Sequence, residues 1–501
     1  MSEGYVATTT VTDYEVVIGL EVHSQLLTQS KMFCSCSATY QQAEPNTVVC
    51  PVCMGMPGVL PVANRKAVEY VMNTGLALNC EIAPYTRFDR KNYPYPDLMK
   101  GYQISQQGLP IASNGWLDVD IGGTIKNIGV NRVHLEEDVA KLFHRTGPDD
   151  DRYSLLDINR AGVPLMEIVS EPDMRSAEEA RAYLVQLRSI LRYLGVSTAN
   201  MEEGSFRCDA NISIRREGSS ELGPKVEIKN VNSFKYVYEA LKHETVRQIR
   251  LAREGHRIVQ ETRGWVENKA VTVSQRTKEL AHDYRFFPEP DLPPIHISQE
   301  WVREVKTMLP ELPRARQARF MERYGLSQYD ASLLIASKST ADYFEILMDT
   351  NLTSGYDLGV RAKAVSNWIV GELSRLMNET GQDFEAVKFD PSAVHELIDM
   401  AEEGILSSSM AKTVFEEMYR GGDSPKAIAE AQHLVQISDN DSIAPIVDDA
   451  IASNGQAVED YVQGKETALK YLVGQVMRVT KGRANPKMVA DLLRTKLETS
   501  M

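Results

Sequence analysis

Two apolar rhythms divide the chain. Near its start, Glu15-Val-Val-Ile-Gly-Leu-Glu-Val-His23 alternates residue by residue, which predicts a half-buried β-strand. Val16, Ile18, Leu20 and Val22 share one face, and Val17, Gly19, Glu21 and His23 the other. Phe206-Arg-Cys-Asp-Ala-Asn-Ile-Ser-Ile214 repeats the pattern, with Arg207, Asp209, Asn211 and Ser213 on the polar side. A Gly-rich loop from Gly218 to Gly223 leads into Lys225-Val-Glu-Ile-Lys-Asn230, which alternates again and aligns Lys225, Glu227 and Lys229. The two segments predict a hairpin whose polar faces line a cleft able to hold phosphates or an RNA end.

From Gln299 onward the apolar spacing becomes three and four. Glu300 to Met308, Pro313 to Tyr324, Ser337 to Thr350 and Ser392 to Glu403 predict amphipathic helices. The proline-rich run Phe287 to Pro294 interrupts the pattern, because prolines continue neither a helix nor a central strand. A second break falls near Ala401 to Ser409, beyond which short helical stretches alternate with glycine breaks. The expected fold is α+β and multidomain: a β-rich part over residues 1–295, an all-α part over 296–405 and a small helical tail over 406–501.

Length agrees with this division, since 501 residues exceed one compact core and suggest about two to four domains. An apolar content of 43% and a charged content of 25% are those of a soluble globular protein. The sequence has no apolar run of about 18 residues, the length of a membrane-crossing helix. Met1 to Thr12 lacks a basic start, an apolar stretch and arginine, so neither a secretory leader nor a mitochondrial presequence is expected. A cytoplasmic protein is.

The net charge of −14 gives no whole-body attraction to nucleic acid, so RNA binding requires a local basic surface. The tail offers one: Lys470, Arg478, Lys481, Arg483, Lys487, Arg494 and Lys496 face only Asp491 and Glu498. A solvated helix surface reads the same way.

Of six cysteines, Cys34, Cys36, Cys50 and Cys53 fall within twenty residues, as two close pairs joined by a loop. That spacing suits a tetrahedral zinc site, structural because four thiolates leave no open position. Cys80 and Cys208 stand apart and read as small buried residues. Glu21 and His23, side by side on a strand, suit a divalent cation or an acid/base pair; a polar outer face of a strand is the plainer reading. His134-Leu-Glu-Glu-Asp138 crowds three carboxylates that must be solvated or neutralised by cations. Gly218 and Gly223 have the glycine spacing of a phosphate-binding loop, but Pro224 stands where its lysine belongs.

Eight segments occur together in this order: Ile18 to His23, Pro57 to Pro61, Phe88 to Tyr93, His134 to Asp138, Asn159 to Pro164, Arg207 to Asn211, Glu227 to Asn230 and Asp283 to Pro293. Through them the chain resembles, along nearly its whole length, the GatB/GatE family of B subunits of tRNA-dependent amidotransferases. The resemblance implies a β-rich cradle with an ATP-dependent kinase-like site, a helical domain and a YqeY-like tail that grips tRNA. It implies Mg²⁺ held by Glu21, His23, Glu136 or Glu137, and Glu261, with structural zinc on the four cysteines. It also implies a heterotrimer with a glutamine-hydrolysing A subunit and a small C subunit. The reaction is ATP-dependent activation and amidation of Glu-tRNA(Gln), Asp-tRNA(Asn) or both. On chemical grounds Lys225, Lys229, Arg263 and Arg276 are candidates for phosphate contact. Two other readings are a noncatalytic tRNA-binding scaffold and a zinc hydrolase, the second requiring an open zinc position.

Overall fold

In the computed structural model, which describes residues 13–277, 284–350, 357–434, 440–480 and 484–499, the alternating segments form the middle of a nine-stranded sheet. Met1 to Thr12, considered above for a leader, lies outside the described residues. The strands are β1 (Tyr14–Gln25), β2 (Glu81–Ile82), β3 (Ala112–Ile121), β4 (Thr124–Glu137), β5 (Pro164–Ser170), β6 (Phe206–Arg216), β7 (Val226–Lys229), β8 (Glu261–Val266) and β9 (Val271–Thr277). They lie in the order β9-β8-β7-β6-β1-β5-β4-β3-β2. The sheet belongs to the first of two compact units, Met1–Leu312 and Pro313–Met501.

The expected hairpin forms, with Ala210 opposite Ile228 and Ile212 opposite Val226. β7 and β8 alone pair in parallel, and parallel strands need a crossover. Helix α3 (Phe234–Arg253) supplies it, capped by Ser233, whose side chain accepts from the Tyr236 amide. With α1 (Arg65–Ala77) and α2 (Ala177–Tyr193) it covers the apolar face of the sheet. Val16, Ile18, Leu20 and Val22 join one core with Ile168, Cys208, Ile212, Val226 and Leu184. Each aliphatic side chain so buried contributes about 1.5–3 kcal/mol, so a one-residue slip of β1 would expose four of them.

In the second unit the predicted helices appear within a residue or two of their expected ends, as Pro313–Tyr324, Lys338–Asp349 and Pro391–Glu402. Ser337 and Asp390 act as N-caps of the last two. Two apolar clusters form there, one around Phe320, Phe344 and Phe415, the other among the tail helices Asn440–Ser453, Glu466–Val479 and Pro486–Thr499.

Candidate functional site

Strand register assembles the polar face of the sheet. His134 on β4 pairs with Glu167 on β5, Glu167 with His23 on β1, and His23 with Arg207 on β6. Successive side chains of a strand take opposite faces, so this cross-strand row points away from the apolar core. Glu136 stands one step along β4. His23 Nε2 lies 3.5 Å from Glu136 Oε1 and 3.5 Å from Glu167 Oε2, and His134 Nε2 lies 3.2 Å from Glu167 Oε2. One ligand atom from each of His23, Glu136 and Glu167 falls within 4.8 Å of the others. Two carboxylates and an imidazole at that separation fit a divalent cation.

The electrostatics follow from the row. Burial alone would discharge His23, but the Glu167 hydrogen bond and the Glu167 and Glu136 charges outweigh it and lift the imidazole to about 9. Burial opposes the Glu167 carboxylate too, yet His134 and His23 hold it well below the ordinary range. Asp138 is enclosed and anchors the row's end: Arg207 Nη2 lies 2.9 Å and Gln25 Nε2 2.7 Å from its Oδ2, and Arg160 Nε 3.6 Å from its Oδ1.

The structure gathers some of the expected residues and separates others. Glu21 shares the face of His23; its Oε1 accepts from Asn211 Nδ2 at 2.8 Å. Glu137 turns the opposite way from Glu136, as neighbours on a strand must, and its Oε1 meets Lys100 Nζ at 2.5 Å and the Ile104 amide at 3.0 Å. Glu261, expected among the cation's ligands, is not brought to this cluster. Its register partner is Val226, a core residue, so Glu261 lies on the other face, 2.7 Å from Arg263 Nη1. Arg263 goes with it, pairing with Glu244 of α3 at 3.1 Å, and so is also absent from the polar face. Lys229 stays on that face, with Asp209 at 3.0 Å and Glu227 at 3.4 Å. Lys225 is exposed at the start of β7. Arg276 stands opposite Thr262 in the register, and its side chain is outside the described residues.

Glu167 escaped the sequence reading. The signal was a single carboxylate inside the apolar run Pro164-Leu-Met-Glu-Ile-Val169, since an acid in a buried strand needs a partner. Period two within one strand cannot say which strand lies beside it.

The four cysteines come together. Cys34, Cys36, Cys50 and Cys53 each place a sulfur within 4.8 Å of the other three, and none is in a disulfide. Four thiols at that spacing fit a tetrahedral zinc ion. The hydrogen bond from Cys34, helped by the nearby Lys31 charge, holds the Cys53 thiol down at about 4, while Cys34 is pushed up. Cys80 and Cys208 are buried apart from them, and burial raises both thiols.

In the tail, Lys470 and Arg494 line a groove of 740 Å³ with Tyr461, Leu469 and Val473. Lys470, Arg478 and Lys487 are exposed, Arg494 pairs with Asp491 at 3.1 Å and Lys496 with Asp448 at 2.6 Å. Lys481 and Arg483, and the side chain of Glu498, lie outside the described residues. Among the described residues no helix is long and apolar enough to cross a membrane.

Known proteins share this arrangement of sequence. The family model of the GatB/GatE catalytic domain matches residues 16–303, which hold all of the nine-stranded sheet but Tyr14 and Glu15, and that of the GatB domain matches residues 351–497. The B subunit of the aspartyl/glutamyl-tRNA(Asn/Gln) amidotransferase of Dehalococcoides mccartyi (strain CBDB1) is 56% identical over 492 residues, covering 97% of this chain and 100% of its own. Its counterpart of the same name in Carboxydothermus hydrogenoformans is 52% identical over 485 residues, covering 97% and 99%. That of Caldicellulosiruptor saccharolyticus is 50% identical over 489 residues, covering 97% and 99%. Matches of that extent and identity leave one assignment: the chain belongs to the GatB/GatE family of amidotransferase B subunits.

Proposed function

We propose that this chain is the kinase and transamidase subunit of a glutamine-hydrolysing, tRNA-dependent amidotransferase. It transfers the γ-phosphoryl group of ATP to the side-chain carboxylate of Glu-tRNA(Gln), Asp-tRNA(Asn) or both. Ammonia then displaces phosphate from the acyl phosphate, giving Gln-tRNA(Gln) or Asn-tRNA(Asn). The activation is needed because a carboxylate is an anion with a poor leaving group.

One observation carries the reading: His23, Glu136 and Glu167 converge from three adjacent strands to within ligand distance. Phosphoryl transfer asks for positioning and charge neutralisation more than for a covalent catalyst. His23, Glu136 and Glu167 would hold Mg²⁺, which would supply that neutralisation. His134 fixes Glu167 from its buried side at 3.2 Å. Arg207 and Lys229, with side chains 38% and 41% exposed, offer cations to phosphate oxygens on the same face. Glu21, oriented by Asn211, stands beside His23 on the substrate side of β1.

In this reading the four cysteines hold structural zinc, and the partners are a glutaminase A subunit, a small C subunit and misacylated tRNA. The exposed cations of the tail suit the tRNA backbone. The cytoplasm, where translation supplies the substrate, is the location. A noncatalytic scaffold is the weaker reading, because buried carboxylates do nothing for a protein that only holds a polyanion. The test is phosphate release from ATP by the reconstituted complex given Glu-tRNA(Gln). Release should depend on the misacylated tRNA and collapse in Glu167→Gln, with glutaminase activity of the complex still measurable. Normal release by that variant would return the scaffold reading.

A further inference from the structure

Lys31 is among the most deeply enclosed side chains of the first unit, at 1% exposure. Its Nζ donates to the Val48 carbonyl at 2.8 Å. Among the described residues no carboxylate forms an ion pair with it. An ammonium taken out of water is strongly unfavourable unless an anion meets it. The surroundings narrow the source of that anion.

Val48 belongs to the loop that carries Cys50 and Cys53, so the lysine is tied to the cysteine cluster's own segment. Cys53 is the most buried of the four cysteines, at 6% exposure. It shares a neighbour with Lys31: a Cβ placed on Gly162 would sit 3.6 Å from Cys53 Cβ and 3.6 Å from Lys31 Cδ. The two side chains therefore flank one glycine, whose φ of +82° also disfavours any side chain there. The Gly162 amide in turn donates to the Asp138 carbonyl at 2.9 Å, which stacks this contact on the segment that ends the acidic strand.

We propose that Lys31 is the built-in counter-charge of the four-cysteine cluster, a positioning residue that faces Cys53 and sets how tightly the cluster holds its metal. This rests on the zinc reading of the cysteines. Four thiolates around a divalent ion leave surplus negative charge in a part-buried site. An enclosed ammonium cancels part of it, as hydrogen-bond donors to sulfur do in other thiolate sites.

The test is zinc competition against a chromophoric chelator with the full chain. Lys31→Gln removes the charge and retains an amide donor on a side chain one atom shorter; it is expected to weaken zinc retention about 10–100-fold. Zinc held as tightly by that variant as by the wild type overturns the proposal, and a wild type that holds no zinc overturns the metal reading itself. Should Lys31→Gln fail to fold, the pair is read from the other side in metal-free chains. Cys53→Asp and Cys53→Asn are isosteric and differ in charge and in one donor group. Facing an ammonium, the aspartate variant melts at the higher temperature. If the asparagine variant melts at the same temperature or higher, no cation faces position 53 and the proposal fails.

Discussion

The sheet carries a charged cluster on each face, and the two are closed differently. On the helix-covered face Glu244 and Glu261 meet Arg247 and Arg263. Arg247 Nη2 lies 2.8 Å from Glu244, Arg263 Nε 3.1 Å from Glu244, and Arg263 Nη1 2.7 Å from Glu261. Burial would raise the Glu244 carboxyl, but Arg247 and Thr272 bind it and keep it low. Carboxylates and guanidiniums balance there, and a guanidinium never gives up its proton. On the polar face Glu136 and Glu167 meet His23 and His134 instead. An imidazole can lose its proton and turn its nitrogen lone pair to a metal, so this cluster can exchange a proton for a cation. Both are clusters of acids and bases against one β-sheet. Only the second has room for a ligand's charge.

Substitutions that strike one cluster should leave the other's property alone. The largest effect is expected for His23→Ala: tRNA-dependent phosphate release from ATP falls about 10³-fold, since cation catalysis supplies several kcal/mol. Its thermal melt should fall too, because the charged imidazole held by Glu167 and Glu136 is lost. The protein that still folds should lack the phosphate release; normal release per mole of folded protein would mean the row is structural. Glu244→Ala should do the reverse, costing about 3–5 kcal/mol in urea denaturation by stranding two arginines. What remains folded should release phosphate at the normal rate per mole.

Asp138 sits between these extremes. Burial would raise its carboxyl, but Arg207 and Arg160 hold it below the ordinary value. Its stabilisation is therefore complete above the unfolded value of about 3.9 and is lost as pH falls through the lower folded value. Asp138→Asn should lower stability at pH 7 by about 2 kcal/mol and flatten the acid limb of a stability-against-pH curve. An unchanged acid limb would show that the arginines do not act on it. The smallest effect belongs to Glu261→Gln, with phosphate release within about twofold of the wild type and a loss of about 1 kcal/mol. Should release collapse as for His23→Ala, the two faces are not separate in function.

Much of this was legible in the chain. Period two placed Glu21 and His23 on one face, and the cysteine spacing announced a cluster that the fold closes. The same alternation in Arg207 to Ser213 put Arg207 on the polar face, opposite His23. What could not be read was which strands are neighbours. Glu167 and Glu136 reach His23 only because β5 lies beside β1 and β4 beside β5, a matter of long-range pairing that no local rhythm encodes. The face of Glu261 was hidden for the related reason: it depends on parallel pairing with β7, where Glu261 meets Val226. Strand alternation also separates Glu136 from Glu137, a distinction available once the strand was known to extend through both.

The position of β1 has a consequence for how the chain is made. It leaves the ribosome before the other eight strands, yet it lies in the middle of the sheet, and Tyr14 finds its partner only at Arg216. At about 5–20 residues per second, some 200 residues of synthesis take on the order of 10–40 s. Until β5 is made the whole of β1 lacks a partner, and until β6 follows Val16 and Leu20 still do, leaving an apolar strand edge of the kind that chaperones hold and that aggregates when they do not. A slowed or interrupted translation anywhere before β6 would lengthen this exposure, so the yield of soluble chain should respond to trigger-type chaperones more than its final stability would suggest.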